Sequence, residues 1–173
     1  MPFAVRPCGT KIHYAVKGAG APVLLLAPGG MRSCIAAWQA QPYDPWSRLA
    51  ALSFFKVIAM DQRCGAGASE GPLPTNGWDT FRDDQLAVLD AAGVDAQTPC
   101  LLVGSCIGPS YIINLLKAAP HRFTAAVLMQ PIGLAEHSTE PVGWPGLNTF
   151  ASQHWFGDWA NGRISSGLNQ REE

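Results

Sequence analysis

The chain has 173 residues, enough for one domain with a sizeable core, and no apolar run in it is long enough to cross a membrane. A formal net charge of -1 and an isoelectric point near 6.4 give no electrostatic basis for binding nucleic acid or an anionic membrane. Only 14% of residues are charged and 47% are hydrophobic, which points to a sheet buried on both faces together with some apolar surface that expects a partner or further chain.

Two short strands open the chain at residues 3–6 and 11–16. Ile12, Tyr14 and Val16 alternate, so the pair reads as an antiparallel edge hairpin turning at Gly9. After a glycine-rich turn, residues 23–27 form a continuous apolar run of the kind buried in a parallel sheet. It ends in Pro28-Gly29-Gly30-Met31, and a polar, irregular loop is expected through Pro45. Residues 46–54 are predicted helical, with Trp46, Leu49, Ala50 and Leu52 along one side. The next strand is 56–60, followed by the glycine-rich stretch Asp61-Gln62-Arg63-Cys64-Gly65-Ala66-Gly67-Ala68-Ser69.

Residues 78–92 read as a helix: Phe81, Leu86, Val88 and Leu89 recur near helical spacing, Asp79 starts it and Gly93 stops it. Its Asp83, Asp84 and Asp90 are expected on a solvated or capping face. A strand at 100–103, a helix at 109–119 and a last strand at 125–129 complete the pattern. Strands alternating with helices imply an α/β fold with a mostly parallel, doubly wound sheet of about six strands and right-handed crossovers. Residues 1–134 are assigned to this core. Residues 135–173, with Trp144, Trp155 and Trp159 scattered without period and no apolar run of strand length, form a lid-like or irregular C-terminal segment.

The strand-to-helix junction Gly104-Ser105-Cys106-Ile107-Gly108 carries the chemistry. Glycines two before and two after a central residue let a strand and a helix approach closely while the centre is held in a strained backbone conformation, the design of a nucleophile elbow. The register selects Cys106, because Ser105 would be flanked by Val103 and Ile107, too bulky for that approach. The five cysteines are odd in number and lack paired metal-type spacing, so no zinc or other metal is expected and a reducing, cytoplasmic setting is. Cys8, Cys34, Cys64 and Cys100 lack the elbow setting and are assigned to packing.

Three motifs at the ends of three successive strands, Pro28-Gly29-Gly30, Asp61 to Ser69 and the elbow, resemble the α/β-hydrolase superfamily over residues 3–134. Many members have His-Gly where this chain has Pro28-Gly29, and the loop from Asp61 is similar to their Asp-x-Arg-Gly-x-Gly-x-Ser. The cysteine elbow, with Pro131-Ile132-Gly133 after the last strand, looks like one subgroup of that superfamily. The likeness to dienelactone hydrolases, which also use cysteine, is confined to the elbow.

The resemblance implies a hydrolase that attacks an ester, lactone or related acyl bond of a small-molecule substrate through the Cys106 thiolate. The backbone N–H of Ile107 and one from Gly30 or Met31 would form the oxyanion hole. Asp61 and Arg63 are read as structural, shaping their loop through local hydrogen bonds and an ion pair. Superfamily members place the catalytic histidine after the last strand of an approximately eight-stranded sheet, so this chain is expected to stop short, with weak activity and a sheet edge open to homo-oligomerisation. His13 and His121 are expected at the surface, His137 and His154 lack a preceding strand to place them, and Glu136, just beyond the sixth strand, is a weak candidate acid, so no complete triad is named. No cofactor is implied. The rival readings are a non-catalytic binding protein of the same fold and, more weakly, a dinucleotide-binding domain whose glycine spacing this chain lacks.

Overall fold

The computed structural model describes residues 2–30, 33–64, 67–72 and 77–131. They belong to a compact unit, Met1–Ile132; a second unit, Gly133–Glu173, lies outside them, and the expected lid-like segment 135–173 falls there.

Six strands form one sheet in the order β1-β2-β4-β3-β5-β6: β1 Phe3–Val5, β2 Lys11–Gly18, β3 Ala21–Leu26, β4 Phe55–Met60, β5 Cys100–Ser105 and β6 Phe123–Met129. The expected opening hairpin is present, with β1 and β2 antiparallel and β2 antiparallel to β4. From β4 through β3 and β5 to β6 all pairings are parallel. Four α-helices occur among the described residues, α1 Ala36–Gln39, α2 Pro45–Ala50, α3 Gly77–Ala91 and α4 Gly108–Ala118, and a 3-10 turn, Pro120–Arg122, leads into β6.

The unbroken apolar run of β3 puts it at the centre, where both faces are covered. On one face Val23, Leu25 and Ala27 join Val57 and Ala59 of β4 beneath Trp38 of α1 and Trp46 of α2. The alternate residues Leu24, Leu26, Ile58, Met60 and Leu102 are buried on the other. That face meets α4, whose Ile112 reaches Gly104 of β5. Helix α3 packs against α4 and β1, and its Phe81 and Trp78 rings each lie 5.4 Å from the Tyr111 ring of α4.

Two expectations about local structure need correction. The helix expected at 46–54 ends at Ala50, because the chain then turns so that the Phe54 carbonyl can accept the Ala21 N–H at 2.9 Å, leaving Leu52 and Phe54 exposed. The loop expected through Pro45 contains the short helix α1, anchored by the fully buried Trp38.

Asp84 departs further from expectation. It is fully buried, not solvated: both its oxygens accept from Arg63, Nε at 2.5 Å and Nη2 at 2.6 Å, and Arg6 Nε lies 3.1 Å from Oδ1. Burial pushes the Asp84 carboxyl up, and the Arg63 guanidinium, with the charge of Arg6 beside it, opposes that shift. Asp83 is half-exposed and Asp90 is exposed, as expected. The buried fork fastens the loop after β4 to α3. Removing one partner strands a charge in the core, so Arg63→Met should lower the unfolding free energy by about 3–5 kcal/mol. Arg82→Met, whose partners Asp79 and Asp83 are exposed and half-exposed, should cost less than about 1 kcal/mol when both variants are unfolded with urea.

Candidate active site

Cys106 sits between the end of β5 and the start of α4 with φ of 60°, in the left-handed region that residues bearing a Cβ rarely occupy. The turn is held from below by the Cys106 N–H, which donates to the Met129 carbonyl of β6 at 3.0 Å. Its two flanking glycines meet specific obstacles. A Cβ on Gly104 would stand 2.7 Å from the Gly108 carbonyl carbon and 2.8 Å from Ile112 Cδ1, and one on Gly108 would collide with the Leu26 carbonyl oxygen of β3. The first turn of α4 therefore rests directly on β3 and β5, and the thiol is half-buried at the crest.

Ile107 follows as the residue before α4, and its N–H has no acceptor among the described residues. After β3, Gly29 and Gly30 take φ of 121° and 59°, a run in which no side chain covers the backbone. Ser33 braces this loop: its N–H donates to the Gly30 carbonyl at 3.3 Å and its Oγ to the Ala27 carbonyl at 2.7 Å. Met31 lies outside the described residues. Beside Cys106, the buried Ser105 Oγ pairs with the Tyr43 hydroxyl at 2.9 Å.

Asp61, at the end of β4, is enclosed by donors. Oδ1 accepts the Ile35 N–H at 2.8 Å; Oδ2 accepts the Ala68 N–H at 2.8 Å and faces His13 Nδ1 at 2.6 Å. Two backbone N–H donors and the imidazole thus converge on one carboxyl group. A Cβ on Gly67 would overlap this carboxylate, which is why the loop needs glycine there. Asp61 thus holds its loop through local hydrogen bonds, as expected, whereas the ion pair of Arg63 is made with Asp84 of α3 and not within the loop.

His13 is not the surface residue expected from its place in an opening hairpin. β2 is an inner strand between β1 and β4, and the consecutive burial of Ile12, His13 and Tyr14 shows that both faces of its first half are covered. Three strand intervals separate β2 from β5, about 14 Å, so His13 cannot serve Cys106 as a base. His121 is exposed, as expected, and precedes β6 at the end of the sheet opposite the elbow. His137, His154 and Glu136 lie outside the described residues.

No protein-family model and no curated protein matches this sequence. Solved structures do. An esterase from Rhodococcus sp. ECU1013 is 30% identical with a TM-score of 0.61, over 76% of this chain and 46% of its own. An N-acyl homoserine lactone degrading enzyme is 28% identical with a TM-score of 0.57, over 75% of this chain and 45% of its own. A meta-cleavage product hydrolase from Pseudomonas fluorescens IP01 is 26% identical with a TM-score of 0.61, over 77% and 46%. The chain belongs to the α/β-hydrolase superfamily. It spans less than half the length of each of these structures.

Within this α/β-hydrolase core the thiols differ in accessibility. Burial pushes Cys100 up to about 12 and raises Cys64 as well, so both are poor nucleophiles. Cys8 is exposed, not packed as expected, and its thiol is held below the usual value by the Thr10 hydroxyl, 3.2 Å away. Sequence reasoning missed Tyr43 and the His13–Asp61 pair; the one available sign was an aromatic set between Pro42 and Pro45 in a polar loop.

The left-handed conformation makes a direct thermodynamic prediction. Glycine in place of a side-chain-bearing residue normally costs about 0.5–1 kcal/mol, whereas the left-handed region costs such a residue about 1–2 kcal/mol. Cys106→Gly should therefore be at least as stable as Cys106→Ala in thermal unfolding. A clearly less stable glycine variant would contradict the strained turn.

Proposed function

We propose that this α/β-hydrolase core cleaves an ester, lactone or related acyl bond of a small molecule, with Cys106 as nucleophile and the N–H groups of Ile107 and the Gly30–Met31 segment as oxyanion donors. The observation that carries the reading is a side-chain-bearing residue at φ 60° between two glycines that no larger residue could replace. Such strain costs stability at this position and is characteristic of a residue displayed for chemistry. The neighbouring esterase and lactone-degrading enzyme support the acyl class, since both share this fold.

In the proposed step the Cys106 thiolate attacks the carbonyl carbon. A C–S bond forms, the carbonyl π electrons move to oxygen, and the developing oxyanion accepts from the Ile107 and loop N–H groups. Collapse re-forms the carbonyl and expels the alkoxide, which takes a proton from solvent or an acid; water then hydrolyses the thioester, releasing the carboxylic acid and the thiol. No histidine among the described residues reaches Cys106, so acylation by an activated ester is the half-reaction that tests the site most directly.

With p-nitrophenyl acetate, p-nitrophenolate release should accompany acetylation of the peptide carrying Cys106, read by mass spectrometry in a Cys8→Ser background that removes the exposed competing thiol. Cys106→Ala should slow release by about 100-fold or more. Acetate absent from Cys106, or release undiminished in Cys106→Ala, would overturn the nucleophile and favour a binding protein that keeps the elbow for folding.

A further inference from the structure

The loop proposed to supply the second oxyanion donor has little to hold it in place by itself. Gly29 and Gly30 occur in succession at positive φ, where glycine moves most freely and no side chain fixes the direction of an N–H. Its conformation must come from outside. The tethers converge on the end of β4: the Gln62 N–H donates to the Ser33 carbonyl at 2.9 Å, and Asp61 Oδ1 accepts the Ile35 N–H at 2.8 Å. Ser33 passes this anchoring on to Gly30 and Ala27 through its own N–H and hydroxyl.

Asp61 is itself immobilised. Its N–H donates to the His13 carbonyl at 3.0 Å, and its carbonyl accepts Ser69 Oγ at 2.6 Å, whose oxygen accepts the His13 N–H at 2.8 Å. The His13 ring closes the assembly on Oδ2. A buried histidine and carboxylate about three strands from the nucleophile are therefore bonded to the loop after β3, the strand that pairs with β5 up to Gly104.

Building on the nucleophile reading above, we infer that Asp61, locked by His13, is a positioning residue that preorganises the Gly30 N–H for the oxyanion without touching substrate. Preorganised donors matter for a tetrahedral oxyanion and not for alkyl substitution at sulfur, where no oxyanion develops. That contrast separates positioning from a general effect on folding.

The test compares two rates at Cys106 in the full chain with Cys8→Ser: acetylation by p-nitrophenyl acetate and alkylation by iodoacetamide. Asp61→Asn places an amide NH2 against the Ala68 and His13 donors, and acetylation should fall about 10- to 100-fold while alkylation holds. His13→Leu should act in the same direction, and His13→Asn, whose amide can occupy the Nδ1 position, should restore acetylation. Amide hydrogen exchange at Gly29, Gly30 and Ile35 should quicken in Asp61→Asn and His13→Leu alone. Equal falls in both rates, no fall in either, or loop exchange unchanged would overturn the positioning role. Wild-type protein that alkylates but never acetylates at Cys106 would instead sink the nucleophile reading, and this inference with it.

Discussion

The contact on which the site depends is between the first turn of α4 and the sheet. Gly108 lies against the Leu26 carbonyl of β3, and Gly104 of β5 lies under Gly108 and Ile112. With no Cβ at either position the helix approaches the strands closely enough to force a sharp reversal between them, and the reversal leaves Cys106 in a conformation it would not choose alone. The strain is sustained because the elements around it are over-determined: β3 is buried on both faces, and β5 is paired on both sides. Local cost and global packing are two sides of one arrangement.

A second constraint lies beneath the neighbouring loops. Asp61 and Arg63, two residues apart, serve opposite faces of the structure. Asp61 turns toward the loop after β3, and Arg63 grips Asp84 of α3. One short segment after β4 thereby ties β2, the loop at 33–35 and α3 into a frame around the end of the sheet where Cys106 emerges. Gly67 of the segment is explained by the same frame, since a side chain there would occupy the space of the Asp61 carboxylate.

Much of this was legible in the sequence because it is local. The β3 run, the alternation in β2 and the spacing of Gly104 and Gly108 each depend on neighbours within a few residues, and all six strands fall where those signals put them. What was not legible depends on partners far along the chain. Asp84 looks like one more acidic residue on a helix until Arg63, 21 positions away, is seen to fold onto it. His13 reads as an edge-hairpin residue until β4 is inserted beside β2, a topological fact that no pattern within β2 encodes. Tyr43 reaches Ser105 across 62 positions, from a loop whose composition suggested only irregularity.

The far side of the sheet has its own consequence. β6 is Phe-Thr-Ala-Ala-Val-Leu-Met, and residues 124–128 are exposed, with Val127 and Leu128 at 53% and 40%. Sheet margins usually discourage adhesion with lysine, proline or a bulge; β6, the last strand of the sheet among the described residues, shifts register against β5 once, at Thr124, but has neither a charge nor a proline. A ribbon of that kind is sticky by composition, so whatever lies along it governs how concentrated a solution of the protein can become before chains begin to adhere.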